Sequence, residues 1–124
     1  MSYKPNGYPS VSPYLLVRNA RKTMQFLESV FGAKSERVFN GEDGKTIAHA
    51  EARLDDSVIM LGQTPEAMPS HVHVYRHDVD DCFARADAAG GEVVQPPTQQ
   101  PDGDYRGGVS DPNGIVWWIS EQRG

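Results

Sequence analysis

Four histidines, His49, His71, His73 and His77, and one cysteine, Cys82, are the side chains here most suited to chemistry near neutral pH. His71 and His73 stand two apart in the run His71–Tyr75, and a strand points residues i and i+2 to the same face. Joined by His49 or Glu51 from another strand, they make a donor set for a divalent metal. The same imidazoles also serve as hydrogen-bonding groups on a cavity wall or on the surface. His77, beside a helix start, reads as exposed. Cys82 lies on a helix next to Asp81 and two residues past Asp80, carboxylates that raise a thiol pKa and argue against a nucleophile. Gly107-Gly108 lacks the strand–loop–helix setting of a phosphate loop. Asp102, Asp104 and Arg106 read as loop charges, with Arg106 able to meet an anionic ligand.

The chain that positions these groups has 124 residues, enough for one domain with a real core. A hydrophobic content of 38% and a charged content of 23% fit a globular protein. No apolar run approaches the roughly 20 residues of a membrane-spanning helix. The first ten residues show no apolar signal segment. A single cysteine forms no internal disulfide, and a cytoplasmic location is expected. A net charge of −5 argues against a nucleic-acid partner and mildly favours neutral or cationic ligands.

The stretch Tyr105 to Ser120 reads as a β-hairpin. Asp111-Pro112-Asn113-Gly114 is turn chemistry, and Ile115-Val116-Trp117-Trp118-Ile119 is a β-branched and aromatic strand, apolar on both faces. Residues 1–10 form an arm rich in proline and glycine. Val11 to Val17 reads as a strand. Asn19 caps a helix whose apolar face is Ala20, Met24, Leu27 and Phe31, and Gly32 ends it. Strands follow at 34–40, 46–54 and 58–61, then a linker over 63–70. The pattern restarts with a strand at His71–Tyr75. Asp78 caps a second helix that carries Val79, Phe83 and Ala86 and ends at Gly90-Gly91. A weak strand at 93–95 leads to a long loop over 96–104 that could gate a cavity, then to the hairpin.

An offset of 59 carries Gly32 onto Gly91, and Ala20 onto Val79. The order strand, helix, three strands therefore occurs twice. It predicts an α+β domain over residues 11–124, made of two βαβββ modules (about 11–64 and 70–121) with curled mixed sheets enclosing a cavity. Alternation places Val116, Trp118 and Ser120 toward the cavity, and Trp117 and Ile119 toward the helix layer. Tyr14, His71, His73 and Tyr75 share the cavity side.

This order, the helix end Phe31-Gly32-Ala33, and the hairpin Tyr105–Gly114 with its Asp111-Pro112-Asn113-Gly114 resemble the vicinal oxygen chelate superfamily. That superfamily holds glyoxalase I, bleomycin-resistance proteins and extradiol dioxygenases, and the resemblance spans about residues 11 to 120. It implies four metal-ligand positions, one on the first and last strand of each module. Carried over, they fall on Ser12, Leu61, His71 and Trp118, of which only His71 is a good ligand. The departure points away from glyoxalase or dioxygenase chemistry.

The expected ligand site is therefore Tyr14, Leu61, His71, His73, Tyr75 and Trp118, an aromatic slot with polar tips suited to a flat small molecule. No cofactor is expected. The reading is metal-independent binding of a small aromatic or cationic molecule, as in the drug-sequestering branch of the superfamily. The alternative is an enzyme, a lyase, isomerase or dioxygenase, with a displaced divalent-metal site at His71, His73, His49 and Glu51. The resemblance also implies a homodimer. Neither a nucleic-acid nor a membrane partner is expected.

Overall fold

The computed structural model describes residues 3–124, so Met1 and Ser2 of the expected arm lie outside the described residues. Strands β1 (Tyr14–Val17), β2 (Lys34–Asn40), β3 (Ile47–Leu54) and β4 (Ser57–Gln63) form one sheet in the order β1-β4-β3-β2. Strands β5 (Ser70–Tyr75), β6 (Glu92–Gln99), β7 (Asp104–Ser110) and β8 (Ile115–Gln122) form a second in the order β5-β8-β7-β6. In each sheet the first strand runs parallel to the last, and the remaining pairs are antiparallel. Helix α1 (Ala20–Phe31) follows β1, and α2 (Val79–Ala88) follows β5. The fold is α+β with two βαβββ modules. The chain clusters into two compact units, 1–28 with 32–68, and 29–31 with 69–124.

In the first unit, Asn19 caps α1 by accepting the Lys22 N–H at 3.1 Å. Gly32, at φ +70°, ends the helix with its N–H on the Glu28 carbonyl. Ala20, Phe26 and Leu27 are buried together with Leu15, Val17, Ala50, Ala52, Ile59 and Leu61 from the sheet.

In the second unit, Trp117, Ile115, Ile119, Val109, Val79, Cys82 and Ala86 are sealed from solvent, so the apolar hairpin strand does cover one face with α2. Its turn is organised by Asp111. Oδ1 accepts the N–H groups of Asn113 (2.8 Å) and Ile115 (3.0 Å), and Oδ2 accepts the Trp117 indole N–H at 3.0 Å.

Three local expectations change. The segment 96–104 is not a long loop: β6 runs through Pro96 and Pro97 to Gln99, leaving 100–103 as the connection. Edge strands tolerate prolines because one row of their N–H groups needs no partner, and the register shifts between Val93 and Thr98 absorb the misfit. Asp104 and Arg106 consequently sit on β7. Asp78 precedes α2 but makes no side-chain capping bond. Its carboxylate is taken by Arg76 Nε (3.1 Å) and Arg85 Nη2 (2.8 Å). The first strand begins at Tyr14 rather than Val11.

Candidate functional site

In the second unit, β5 presents His71, His73 and Tyr75 on one face, and their partners across the parallel pairing are Val116, Trp118 and Ser120 of β8. Trp118 Nε1–H donates to His71 Nδ1 at 3.0 Å. Their rings are parallel within 14°, with centroids 6.2 Å apart. An indole N–H lies in its ring plane, so this bond joins the rings edge to edge. The pair extends one flat plate rather than lying face on face. His73 Nε2 and Ser120 Oγ are 2.9 Å apart, and the His73 ring meets Tyr75 edge-on at 4.6 Å. Tyr75 donates to Asp104 Oδ2 at 2.9 Å, and Arg106 reaches both Asp104 (3.3 Å) and Asp102 (3.2 Å).

Electrostatics follow from these contacts. Burial, then the Arg106 charge, holds the His73 pKa below the usual histidine value, against the pull of Asp104 and Asp102, so it stays neutral near pH 7. The Asp104 carboxylate accepting its proton pushes the Tyr75 hydroxyl upward. The buried thiol of Cys82 is pushed up to about 11, by burial first and then by Asp78. The nearby charge is therefore Asp78 rather than Asp80 and Asp81, and the thiol is no nucleophile.

The plate lies against Gly108. A Cβ built there would stand 2.7 Å from Trp118 Cζ3 and 2.9 Å from Val94 Cγ2. Gly108→Ala is therefore expected to tilt Trp118 off the sheet at a stability cost of about 1–3 kcal/mol. Trp118 side-chain resonances that stay in place in the variant would disprove this.

In the first unit, Tyr14 pairs with Met60 and His49 with Gly62. The His49 ring is 5.9 Å from both Tyr14 and Phe39. Glu51, 2% exposed, accepts Tyr8 Oη–H at 2.5 Å and Arg37 Nε–H at 3.0 Å, and lies 2.8 Å from His49 Nε2. Burial alone would raise the Glu51 pKa; the donors Tyr8, His49 and Arg37 outweigh it and hold the carboxyl below its ordinary value. The Arg37 guanidinium lies 5.1 Å from the Tyr8 ring and 5.9 Å from Phe39.

Leu61 stands apart from this face. It is fully buried opposite Leu15 and Ala50, so alternation puts Met60 and Gly62, not Leu61, beside Tyr14. The cause is the connection of β3 to β4, a two-residue turn at Asp55 and Asp56. Pairing Ser57 with Gly114 therefore shifts the register by one residue, and a one-residue slip changes faces. His71, His73, Tyr75 and Trp118 share one face of the second unit's sheet, and in the first unit Tyr14 lies beside His49.

Residues not anticipated are Tyr8, Arg37 and Phe39 in the first unit, and the Asp104 and Ser120 contacts in the second. Arg37 and Phe39 alternate along β2, a period-2 signal that was available. Tyr8 lies in an arm with no periodicity at all.

The family's metal-bearing positions do not fit a resident metal here. The register puts Met60, not Leu61, at the position matching Trp118. A thioether is a soft, poor ligand for such a divalent ion, Trp118 offers no ligand atom, and Glu51 is already shared among three donors. Among the described residues, no group of three or more His, Cys, Asp or Glu side chains could hold a metal ion. A separate pocket of about 410 Å³ opens between α1 and β2, floored by Ala33, Ile47 and Ala52. None of the anticipated site residues lines it. Among the described residues, no helix is long and apolar enough to cross a membrane.

Paired βαβββ modules with a ring-bearing face on each sheet define a class of protein, and the comparisons agree with it. The chain belongs to the Glyoxalase/Bleomycin resistance protein/Dioxygenase superfamily, whose profile matches residues 10–119. It is similar to the uncharacterized protein Mb0911c of Mycobacterium bovis, 33% identical over 130 aligned positions covering 94% of this chain and 85% of that one. The uncharacterized protein Rv0887c of Mycobacterium tuberculosis is likewise 33% identical, over 94% of this chain and 76% of its own length. Among solved structures, TioX from Micromonospora sp. ML1 superposes with a TM-score of 0.79 at 25% identity, covering 92% of this chain and 98% of TioX. The fosfomycin resistance protein FosX from Listeria monocytogenes shares the fold, with a TM-score of 0.72 at 15% identity over 90% of this chain and 91% of FosX.

Proposed function

We propose that this chain is a metal-independent binding protein of its superfamily, holding a small aromatic or cationic molecule against its ring-bearing sheet face. The carrying observation is Trp118, a part-exposed indole held flat over Gly108 and tied to His71. A large ring left partly open to water and fixed in orientation is a binding surface with little entropy left to lose. His73 and Tyr75 supply polar tips beside it. In this reading the protein is a cytoplasmic homodimer that sequesters its ligand unchanged.

The test is a fluorescence titration with planar probes, 9-aminoacridine as the cation and a neutral naphthalene derivative. Trp118→Ala is expected to weaken any probe bound by the native protein at least tenfold, the loss of roughly 1.5 kcal/mol or more of ring contact. Unchanged affinity would sink the stacking role. Metal content by mass spectrometry, after dialysis against zinc, nickel, manganese and iron(II), is expected to stay near zero. One tightly held ion per chain would overturn metal independence. Analytical ultracentrifugation is expected to give two chains per particle, and a monomer would remove the dimer from the reading.

A further inference from the structure

The bond between Trp118 and His71 decides which proton His71 carries. An indole nitrogen can only donate. At 3.0 Å from it, His71 Nδ1 must be the acceptor, hence unprotonated, and the neutral ring then holds its proton on Nε2. A doubly protonated imidazole would set two donors against each other and lose the bond. His71 is exposed, and its Nε2 has no partner among the described residues. The near-coplanar arrangement, 14° between rings, keeps that N–H in the plane of the plate, at its rim.

We infer that Trp118 locks His71 as its Nε2–H tautomer, giving the plate one fixed donor at its rim, and that the ligand is a flat aromatic molecule carrying a hydrogen-bond acceptor on a short side arm. This rests on the reading above that the Trp118 face takes planar molecules. The aromatic body covers the indole and imidazole faces. Because the donor lies in the plate's own plane, a ring stacked on top cannot reach it. Only an atom beyond the ring edge can, so a carbonyl or carboxylate oxygen on an arm meets the geometry. An ammonium arm does not, since it would bring a donor to a donor. The inference thus narrows the ligand class from aromatic or cationic to aromatic with an acceptor arm.

Two measurements test it. Long-range ¹H–¹⁵N correlation spectra of the native protein at neutral pH are expected to show His71 protonated on Nε2 alone. In Trp118→Phe, that fixed preference is expected to relax toward a mixture of tautomers. A native His71 carrying its proton on Nδ1 overturns the inference without reference to any ligand. The second measurement compares methyl 1-naphthaleneacetate with 1-butylnaphthalene, the same ring with an arm of similar length but no acceptor. His71→Phe keeps an aromatic face and removes both nitrogens. It is expected to weaken the ester about tenfold, the worth of one hydrogen bond, and to leave the butyl compound within about twofold. Equal effects on the two probes, or none on either, overturn the donor role while leaving the stacking surface intact. Failure of the native protein to bind either probe overturns the aromatic-binding reading, and this inference with it.

Discussion

Asp111→Ala is expected to lower the unfolding free energy by about 3–4 kcal/mol, the largest effect of any single side chain considered for this molecule. Three N–H groups lose their acceptor at once, from Asn113, Ile115 and the indole of Trp117. Trp117 has no exposed surface, so water cannot replace the lost partner. Asp111→Asn is a graded control. One amide oxygen can still serve the two backbone groups, but the NH2 then faces the indole N–H, and a loss of about 2 kcal/mol is expected. Burial pushes the Asp111 pKa above its ordinary 3.8, in spite of those three donors and the backbone donor of Gly114. A raised carboxyl contributes stability that is full below the unfolded pKa and fades as pH climbs through the folded value. Asp111 therefore does not drive acid unfolding. Urea titrations of the three proteins check both parts, and an Asp111→Ala variant within 1 kcal/mol of the native protein would refute the account.

How much of this was legible in the sequence varies with the kind of signal. The hairpin was, because Asp111-Pro112-Asn113-Gly114 admits few conformations and the run after it suits only a strand. Helix α1 was, because Asn19 and Gly32 bracket a periodic apolar face. The pairing of His71, His73 and Tyr75 with the Trp118 face followed from alternation alone, a geometric property of any strand. Leu61 shows where such reasoning slips. Its face depended on counting from a turn, and the two modules do not share a turn length there.

Contacts set by tertiary structure left no mark in the sequence. Nothing in Pro5-Asn6-Gly7-Tyr8 announces that Tyr8 donates to Glu51, forty-three residues away. In the sequence Gly108 is half of a glycine pair that lacks the setting of a phosphate loop and has no other evident use. Its use is to let an indole lie flat on the neighbouring strand. Pro96 and Pro97 suggested a loop because propensity disfavours them in strands, yet an edge strand with bulges accommodates both.

Asp78 is the other residue whose removal is expected to matter most, and its pH signature is opposite to that of Asp111. Burial alone would raise its pKa; hydrogen bonds from Arg76, Arg85 and Cys82 outweigh that and hold the carboxyl far below its ordinary 3.8. The two arginines are engaged beyond it as well. Arg76 Nη1 donates to the Phe31 carbonyl at 3.2 Å and Arg85 Nε to the Val30 carbonyl at 2.8 Å, so Asp78 fixes two cations on the open carbonyls at the end of α1. Asp78→Ala removes the carboxylate that both Arg76, whose side chain is only 11% exposed, and Arg85 bind, and a loss of about 3 kcal/mol is expected. A depressed carboxyl contributes stability that is full above the unfolded pKa and is lost as pH falls toward the folded one. The native protein should therefore weaken progressively below about pH 4, where the unfolded chain begins to take up this proton. Asp78→Ala should be less stable at pH 7 and should lose less on acidification, so the two stability curves converge toward low pH. Chemical denaturation at a series of pH values reads this directly. Parallel curves, with a constant gap from pH 7 to pH 2, would mean that Asp78 acts by packing alone and that the charge pairing contributes nothing.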